Sequence, residues 1–277
     1  MTLALYRYCG RSDVSGTIRA GIGGWVFEPW RGVFYPKGLP QAQELSYASR
    51  NLTTIEINGT FYSTQKPESF RRWASETPDD FVFSLKAPRY ATHRRVLAEA
   101  ASSIERFFTS GVMELKSKLG PILWQFHPGK KFEADDFAAF LALLPSELEG
   151  KPIRHVLEVR HESFVAPAFI GLARKHSAAI VLVDSDKHPL FADVTSDFLY
   201  LRLQRTSEKA KTGYPSRALT TWAERARAWA EGGAPDDLKT IGAAAPAKQP
   251  RDVFVYMISG AKVRAPAAAM ALIEQLK

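Results

Sequence analysis

The sequence predicts an α/β fold of the TIM type, a (β/α)8 barrel, on three observations. Short runs rich in β-branched and aromatic residues recur along the chain, most are followed by a helical segment, and several end in ionisable or amide residues. The chain has 277 residues, close to the roughly 250 of one such barrel. The predicted strands are Ile18–Trp25, Thr53–Asn58, Phe81–Lys86, Pro121–His127, His155–Arg160, Ala179–Asp184, Phe198–Gln204 and Val253–Ser259.

Helical periodicity fills most of the segments between these strands. Apolar residues recur there at spacings of three and four, the pattern of a helix with one buried face. Pro67 suits the first turn of a helix, and Gly111 is expected to interrupt the longest helical region. The predicted helices are Gln41–Asn51, Pro67 up to Pro78, Val96–Leu119, Phe132–Leu144, Pro167–Lys175 and Thr220–Ala230.

The alternation of strands and helices weakens at two places. Residues 185–197 are too few and too turn-rich for a full helix, so we expect a loop to replace one outer helix. Residues 231–251 are rich in Ala, Pro and Gly and lack periodicity, which predicts a flexible insertion. With a loose leader at residues 1–17, these segments fit a single barrel domain over residues 18–277.

Composition excludes several classes of protein. Cys9 is the one cysteine in the chain, so an internal disulfide is excluded. No run reaches the roughly 18 apolar residues of a membrane span. The first residues lack the basic start and long apolar middle of a secretory signal. We therefore expect a cytoplasmic protein without a membrane partner.

The positive charge is concentrated in two segments. Lys and Arg exceed Asp and Glu by 37 to 29. Lys86–Arg95 has four positive residues and no acid, and Arg202–Arg217 has five positive residues and one glutamate. Each segment leaves the end of a predicted strand, so both should lie on one rim of the barrel, where phosphates, nucleic acids or other anions would bind. Solvated loops that only aid solubility are the alternative.

Strand alternation places polar residues inside the barrel. Successive side chains of a strand point to opposite faces, and the apolar residues should face the helices. Buried charges must be paired, which leaves two interpretations: a structural ion network, or a network that orients a ligand-binding or catalytic shell. The inward pairs are Glu56 with Asn58, Glu158 with Arg160, and Arg202 with Gln204.

The functional interpretation is a hydrolase-like enzyme acting on an anionic substrate, either a phosphorylated metabolite or a phosphodiester. Glu158 or His93 would transfer protons, and Asp184 would orient one of them. Positive side chains near the strand ends would hold the anion. The cations expected in this role are Lys86, Arg160 and Arg202.

An alternative from another class is a non-catalytic module on a barrel scaffold that binds nucleic acid or protein. The basic loops would supply charge, and exposed aromatic rings would stack on bases. A ligand enclosed by the polar lumen favours the enzyme, whereas binding restricted to the outer loops favours the module. The aromatic residues expected to stack are Trp25, Trp30, Tyr35, Tyr62 and Tyr90.

We predict neither a resident metal nor a nucleotide cofactor. Glu, Asp and His occur at several strand ends, but no compact ligand spacing is present, and Arg160 beside Glu158 would repel a cation. A divalent metal is therefore the weaker alternative. The segment Gly21–Gly24 lacks both the GxGxxG pattern and a phosphate-loop lysine.

Several strand ends carry distinctive blocks: GIGGWVFEPWRGVFYP at 21–36, TIEINGTFY at 54–62, FVFSLKAPRYATH at 81–93, LGPILWQFHP at 119–128 and VLEVRHESF at 156–164. With the strand ending at Asp184, they resemble in order the signatures of the YecE-like family, domain of unknown function 72. The resemblance runs from about residue 18 to residue 277. It implies a TIM-barrel-like fold and no settled activity.

The resemblance also carries over a set of polar positions, most of them at strand ends. Two departures stand out. Arg202–Arg205 reads RLQR where the family commonly reads Arg-Leu-His-Gly, and Met257–Gly260 reads MISG where many members read Phe-Asn-Asn-Asp. These losses indicate a changed ligand preference or a lost activity. The substrate-binding residues that the resemblance implies are Trp25, Glu56, Asn58, Tyr62, Lys86, Gln125, Arg160, His161, Arg202 and Tyr214.

Overall fold

In the computed structural model, which describes residues 15–242 and 248–277, eight parallel strands close into a barrel. Each strand pairs with the next along the chain, and the eighth pairs with the first, where Ile18 lies opposite Val253. The predicted (β/α)8 barrel is therefore confirmed. The strands are β1 (Ile18–Gly23), β2 (Thr54–Ile57), β3 (Val82–Lys86), β4 (Leu119–Gln125), β5 (His155–Glu158), β6 (Ala179–Asp184), β7 (Phe198–Leu203) and β8 (Asp252–Met257).

Helices follow most strands. They are α1 (Glu44–Asn51), α2 (Gly59–Tyr62), α3 (Pro67–Glu76), α4 (Arg89–Thr92), α5 (Ala101–Phe108), α6 (Ala134–Ala142), α7 (Pro167–Lys175), α8 (Ser216–Ala230) and α9 (Ala265–Leu276). Gly111 interrupts the long helical region as predicted, because its φ of 103° suits glycine. The helix α9 was not predicted, because its many alanines give little contrast between buried and exposed faces.

The connection between β6 and β7 is the loop expected in place of an outer helix. Residues 185–197 contain no helix. The carboxylate of Asp193 in this loop accepts hydrogen bonds from the N–H groups of Ile241 and Gly242 at 2.9 and 2.7 Å. The described parts of the predicted insertion, 231–242 and 248–251, contain no helix or strand, and residues 243–247 lie outside the described residues.

Residues 1–14 of the predicted leader, with Cys9, also lie outside the described residues. The described end of the leader is tied to the barrel. The N–H of Gly16 donates to the carbonyl of Ala230 at 2.9 Å, and the N–H of Thr17 donates to the carboxylate of Asp252 at 3.0 Å. Within the described chain, no helix has the length and apolar character needed to cross a membrane.

The core has an outer layer between strands and helices and an inner layer that fills the lumen. Ile55, Leu157 and Leu201 point outwards, whereas Leu123 and Val181 point inwards and are buried. This alternation follows the period of two that was read from the sequence. Because apolar and aromatic side chains fill the lumen, a ligand has access only to the ends of the barrel. The polar residues at the C-terminal ends of the strands indicate that end as the candidate site.

Candidate functional site

The C-terminal ends of the strands, here called the mouth, carry a buried ion network. Glu56, Glu158 and Arg202 are each at most 3% exposed. Arg202 lies between the carboxylates: its Nη2 donates to Oε1 of Glu56 at 3.0 Å, and its Nη1 donates to Oε2 of Glu158. Arg160 donates to Oε1 of Glu158 at 2.9 and 2.7 Å, and Gln125 donates to Oε2 at 2.9 Å. The four charged residues, Glu56, Glu158, Arg160 and Arg202, are the mouth network.

The mouth network keeps Glu158 ionised. Burial alone would raise the pKa of Glu158, but the charges of Arg202 and Arg160 outweigh it and lower the pKa to about 2. Against the effect of burial, Glu158 and Glu56 raise the pKa of Arg202. A fully buried carboxylate that stays ionised and accepts four hydrogen bonds is unsuited to proton transfer. Arg202, expected to hold a substrate anion, has both Nη groups bound to protein carboxylates instead.

A layer of hydroxyl groups supports the mouth network from within the lumen. The hydroxyl of Tyr200 donates to Oε2 of Glu56 at 2.7 Å and lies 2.8 Å from the hydroxyl of Ser84. Tyr256 packs on Tyr200 with ring centroids 4.8 Å apart. Sequence analysis missed this layer, because strand tyrosines look like ordinary core aromatics. The signal was the spacing of two residues that places Tyr200 on the face of Arg202.

Lys86 ends β3 beside the mouth network and is 6% exposed. No residue in the described chain accepts a hydrogen bond from its Nζ, which lies 3.9 Å from the ring centroid of Phe61. Burial and the charge of Arg202 lower the pKa of Lys86 to about 8, although Glu56 acts in the opposite direction. Thr60 fixes the backbone here by donating to the carbonyl of Lys86 at 2.7 Å. The mouth therefore holds a buried amine with both protonation states accessible near neutral pH.

Two histidines line an open cavity of about 470 Å³ on the rim near Lys86. The ring centroid of His93 lies 5.3 Å from that of His127 and 5.4 Å from that of Phe61. Burial and the charges of His127 and Lys86 lower the pKa of His93, so its exposed imidazole is mostly neutral at pH 7. The other basic side chains of this cavity are Arg94, Arg95, Lys130 and Lys131.

On another part of the mouth, Asp184 at the end of β6 is held by two partners. The hydroxyl of Tyr214 donates to its Oδ2 at 3.1 Å, and Nε of Arg205 lies 2.8 Å from its Oδ1. Half-buried His188 belongs to the loop that replaces an outer helix, and burial together with the charge of Arg160 lowers its pKa. Sequence analysis missed His188, because an irregular loop has no periodic signal.

Three aromatic residues expected at the mouth or on the outer loops pack elsewhere. Gly24 follows β1 with a φ of 71°, and the chain turns so that the ring of Trp25 packs 5.4 Å from a tryptophan of α3. Trp30 and Tyr35 are each 1% exposed. Trp30 and Tyr35 therefore present no open face to a ligand, whereas Trp25 is partly buried. Tyr62, in contrast, is 65% exposed on the rim.

Asn58 and His161 lie next to the mouth and make local hydrogen bonds. The side-chain amide of Asn58 donates to the carbonyl of Glu56 at 3.4 Å. Nδ1 of His161 accepts from the N–H of Ser163 at 3.1 Å and so caps the 3₁₀ helix Glu162–Phe164. Both residues shape the strand-to-loop connections, and their substrate-binding roles stay predictions.

The departures from the family pattern also lie at the mouth. Half-buried Gln204 follows β7, and Met257 ends β8 with its side chain in the outer core. Gly260 has a φ of 60°, and a Cβ atom there would lie 2.5 Å from Oγ1 of Thr206. A larger residue at this position would displace the loop after β7, so the loop geometry requires glycine here.

The described residues offer no evident metal centre. Within residues 15–242 and 248–277, no three His, Cys, Asp or Glu side chains form a group that could hold a metal ion. The carboxylates of Glu56 and Glu158 are instead bridged by the guanidinium group of Arg202. The mouth network is arranged around this internal cation.

One protein family and two curated relatives are similar to this chain. Residues 19–277 match the family described as "Protein of unknown function DUF72". The chain is 30% identical over 152 residues to the UPF0759 protein YecE of Escherichia coli strain K12, covering 54% of this chain and 50% of that protein. It is 26% identical over 157 residues to the UPF0759 protein YunF of Bacillus subtilis strain 168, covering 55% and 54%. The chain spans about half the length of these relatives.

Solved structures share the fold over nearly their whole length. A DUF72 family protein from Thermotoga maritima MSB8 aligns with a TM-score of 0.72 and 24% identity, covering 94% of this chain and 99% of that one. Another, from Enterococcus faecalis V583, has a TM-score of 0.65 and 17% identity, covering 95% and 100%. Since the family match also runs from residue 19 to residue 277, the chain belongs to the DUF72 family of proteins of unknown function.

Proposed function

We propose that the chain is an enzyme whose mouth binds and transforms a small anionic metabolite carrying a phosphate group. An excess of cations in the mouth carries this proposal. Lys86, Arg160 and Arg202 surround two carboxylates, and both Nη groups of Arg202 are engaged with them. With both carboxylates ionised, the three cations leave one net positive charge when Lys86 is protonated. A buried positive potential attracts an anion more strongly than the same charge in water.

Arg160 is suited to contact the anion directly. Its Nε and Nη2 hold Glu158, and no residue in the described chain accepts a hydrogen bond from its Nη1. The side chain is 21% exposed. A guanidinium group fixed in this way offers an oriented donor to a phosphate oxygen. The basic walls of the rim cavity beside His93 extend the positive potential outwards.

Proton transfer in this enzyme is assigned to imidazoles. His93 lies on the rim, and burial together with the charges of His127 and Lys86 lowers its pKa, which leaves a neutral imidazole able to accept a proton at pH 7. The ionised carboxylate of Glu158 positions Arg160. Hydrolysis of a phosphorylated metabolite is compatible with these roles, as is another acid–base reaction on the same class of substrate.

The nucleic-acid alternative has less support. Of its expected stacking rings, Trp30 and Tyr35 are buried, and Trp25 is partly buried against a tryptophan of α3. In the second basic segment, Arg202 is bound within the mouth network, and Arg205 pairs with Asp184 at 2.8 Å. Less charge is therefore free on the outer loops than the sequence suggests. An enclosed small ligand fits this distribution better than an extended polyanion.

The test is calorimetric titration at pH 7 and low salt with ribose 5-phosphate, ribose, and a short DNA duplex. We expect binding of ribose 5-phosphate and none of ribose. Arg160→Met should weaken the binding by about tenfold or more, because a charged hydrogen bond is lost. Lys175→Met, which removes the same charge at the end of α7, should leave it unchanged. Absence of ribose 5-phosphate binding, or DNA binding that Arg160→Met does not affect, would overturn the proposal.

A further inference from the structure

We infer that Lys86 is a nucleophilic amine that forms an imine with the carbonyl carbon of the substrate. This inference rests on the proposed function and narrows its substrate class to small carbonyl compounds that carry a phosphate group. Its basis is geometric: Lys86 is 6% exposed, ends a barrel strand at the mouth, and has the ring of Phe61 as the neighbour of its Nζ.

A second buried lysine shows what a structural role looks like in this fold. Lys118 is 8% exposed, and its Nζ donates to the carbonyls of Ala74 and Thr77 at 2.6 and 2.7 Å. These acceptors replace the water that the ammonium group loses on burial. Lys86 has no such acceptor in the described parts of the chain, and a ring face stabilises its charge less completely. The fold therefore buries most of Lys86 and leaves its Nζ accessible to solvent, without the protein acceptors that the structural lysine has.

The surroundings of Lys86 favour its neutral form. Burial and the positive charge of Arg202 lower its pKa to about 8, so a substantial neutral fraction exists near neutral pH. The neutral amine is the nucleophile in imine formation. The backbone is fixed on both sides, because Thr60 donates to the carbonyl of Lys86 at 2.7 Å and the N–H of Ala87 donates to that of Leu123 at 2.9 Å. The amine is thus presented from a rigid strand end.

The substrate would be held by its phosphate at Arg160, with its carbonyl group towards Lys86. The lone pair of Nζ attacks the carbonyl carbon, and the π electron pair moves to the oxygen, which takes up a proton. Nitrogen then loses a proton to give a carbinolamine. Protonation of the hydroxyl group releases water as the nitrogen lone pair forms the C=N bond. His93, which packs on the ring of Phe61, supplies and accepts these protons.

The test uses the full chain with glycolaldehyde phosphate and sodium cyanoborohydride, which reduces the imine to a stable amine. Peptide mass spectrometry then gives the labelling rate at each lysine. We expect Lys86 to react about tenfold faster than Lys175 or more at pH 7, because its neutral fraction is larger. Its rate should rise with pH towards a midpoint near 8. Neutral glycolaldehyde should label it more slowly than the phosphate compound.

The outcomes separate this inference from the proposed function. If Lys86 reacts no faster than Lys175 while ribose 5-phosphate still binds, the imine is overturned and the anion site stands. Equal rates with glycolaldehyde and its phosphate, without ribose 5-phosphate binding, would support a reactive amine and overturn the anionic substrate. Lys86→Arg removes the primary amine, so this variant should lose the label from that peptide.

Discussion

Two groups of buried charge meet at the mouth and have different surroundings. At the ends of three strands, Arg202 donates to the carboxylates of Glu56 and Glu158, and its Nε is buried without a hydrogen-bond partner among the described residues. Lys86, at the end of a fourth strand, has an aromatic ring in place of a carboxylate. Burial opposes the charge of Arg202 and of Lys86 alike, yet the pKa of Arg202 is raised and that of Lys86 is lowered.

The difference separates a structural role from a functional one within a single site. Removing one partner of a buried ion pair leaves the other uncompensated, so such pairs maintain the fold once they exist. A buried cation without a partner destabilises the fold and persists where it has another use. A structural role therefore suits Glu56, Glu158 and Arg202, whereas we propose that Arg160 contacts the anion and that Lys86 and the rim imidazoles are the chemically reactive part of the mouth.

Among the variants that distinguish the mouth network from Lys86, Arg202→Met should lose the most stability. The variant leaves the carboxylates of Glu56 and Glu158 buried without the arginine between them, at a cost of about 3–5 kcal/mol. For a domain of this size that corresponds to a fall of roughly 10 °C in Tm. Calorimetric and urea unfolding measure it. Arg205→Met, at a half-exposed ion pair, should cost under about 1 kcal/mol; equal losses in both variants would remove the distinction.

Low pH should destabilise the protein, because protonation of Glu158 removes its ion pairs with Arg160 and Arg202 in the mouth network. Its pKa is lowered from 4.5 to about 2, so its contribution to stability is fully present above the unfolded value. That contribution, on the order of 3 kcal/mol, is lost as the pH falls from about 4.5 to 2. Urea unfolding of the wild type and Glu158→Gln between pH 7 and pH 2.5 tests it. The gap between the two proteins should narrow towards low pH, and a constant gap would contradict the assignment.

The sequence was sufficient to predict the barrel fold and some of the charged residues at its mouth. Period-two alternation in β-strands is a local rule, and it placed Glu56, Glu158 and Arg202 inside the barrel at strand ends. Which charges satisfy one another is a long-range fact: Arg202 follows Glu158 by 44 residues and Glu56 by 146. No local pattern could show that both Nη groups of Arg202 are engaged, or that Lys86 has no carboxylate partner within residues 15–242 and 248–277.

The sequence was least informative where the chain leaves regular structure. The positive φ of Gly24 redirects Trp25 to α3, although the same residues predicted an aromatic ring at the mouth. His188 lies on a loop and has no periodic neighbour to mark it. The hydroxyl layer of Tyr200 was hidden for another reason, because a buried tyrosine resembles a core phenylalanine until its partner is known.

Lys86→Met should have the opposite effect to Arg202→Met. Removing a buried cation whose pKa is lowered should stabilise the protein by about 1–3 kcal/mol at pH 7. In the wild type, the free energy of unfolding should rise as the pH increases from about 8, the pKa of Lys86 in the folded protein, to its ordinary value of 10.5. In this range the unfolded chain binds a proton at Lys86 that the folded chain has released. Urea unfolding at pH 7 and pH 10 measures both effects.

The matched control is Lys118→Met. This substitution leaves the carbonyls of Ala74 and Thr77 without their donor and should destabilise the protein. Stabilisation by Lys86→Met together with destabilisation by Lys118→Met would distinguish the two buried lysines. If both variants lose stability to a similar extent, Lys86 is a structural residue, as the ion pairs of the mouth network are.

The smallest effect on stability, under about 0.5 kcal/mol, is expected for His93→Ala, because this imidazole is exposed. Its effect on chemistry should be much larger, since proton transfer by His93 would limit imine formation at Lys86. Labelling of Lys86 by glycolaldehyde phosphate should slow by about tenfold or more. His176→Ala removes a half-buried imidazole just after α7 and should leave the rate unchanged. If Lys86 is labelled at the same rate in His93→Ala and His176→Ala, His93 takes no part in the proton transfer and Lys86 alone is the reactive group of the mouth.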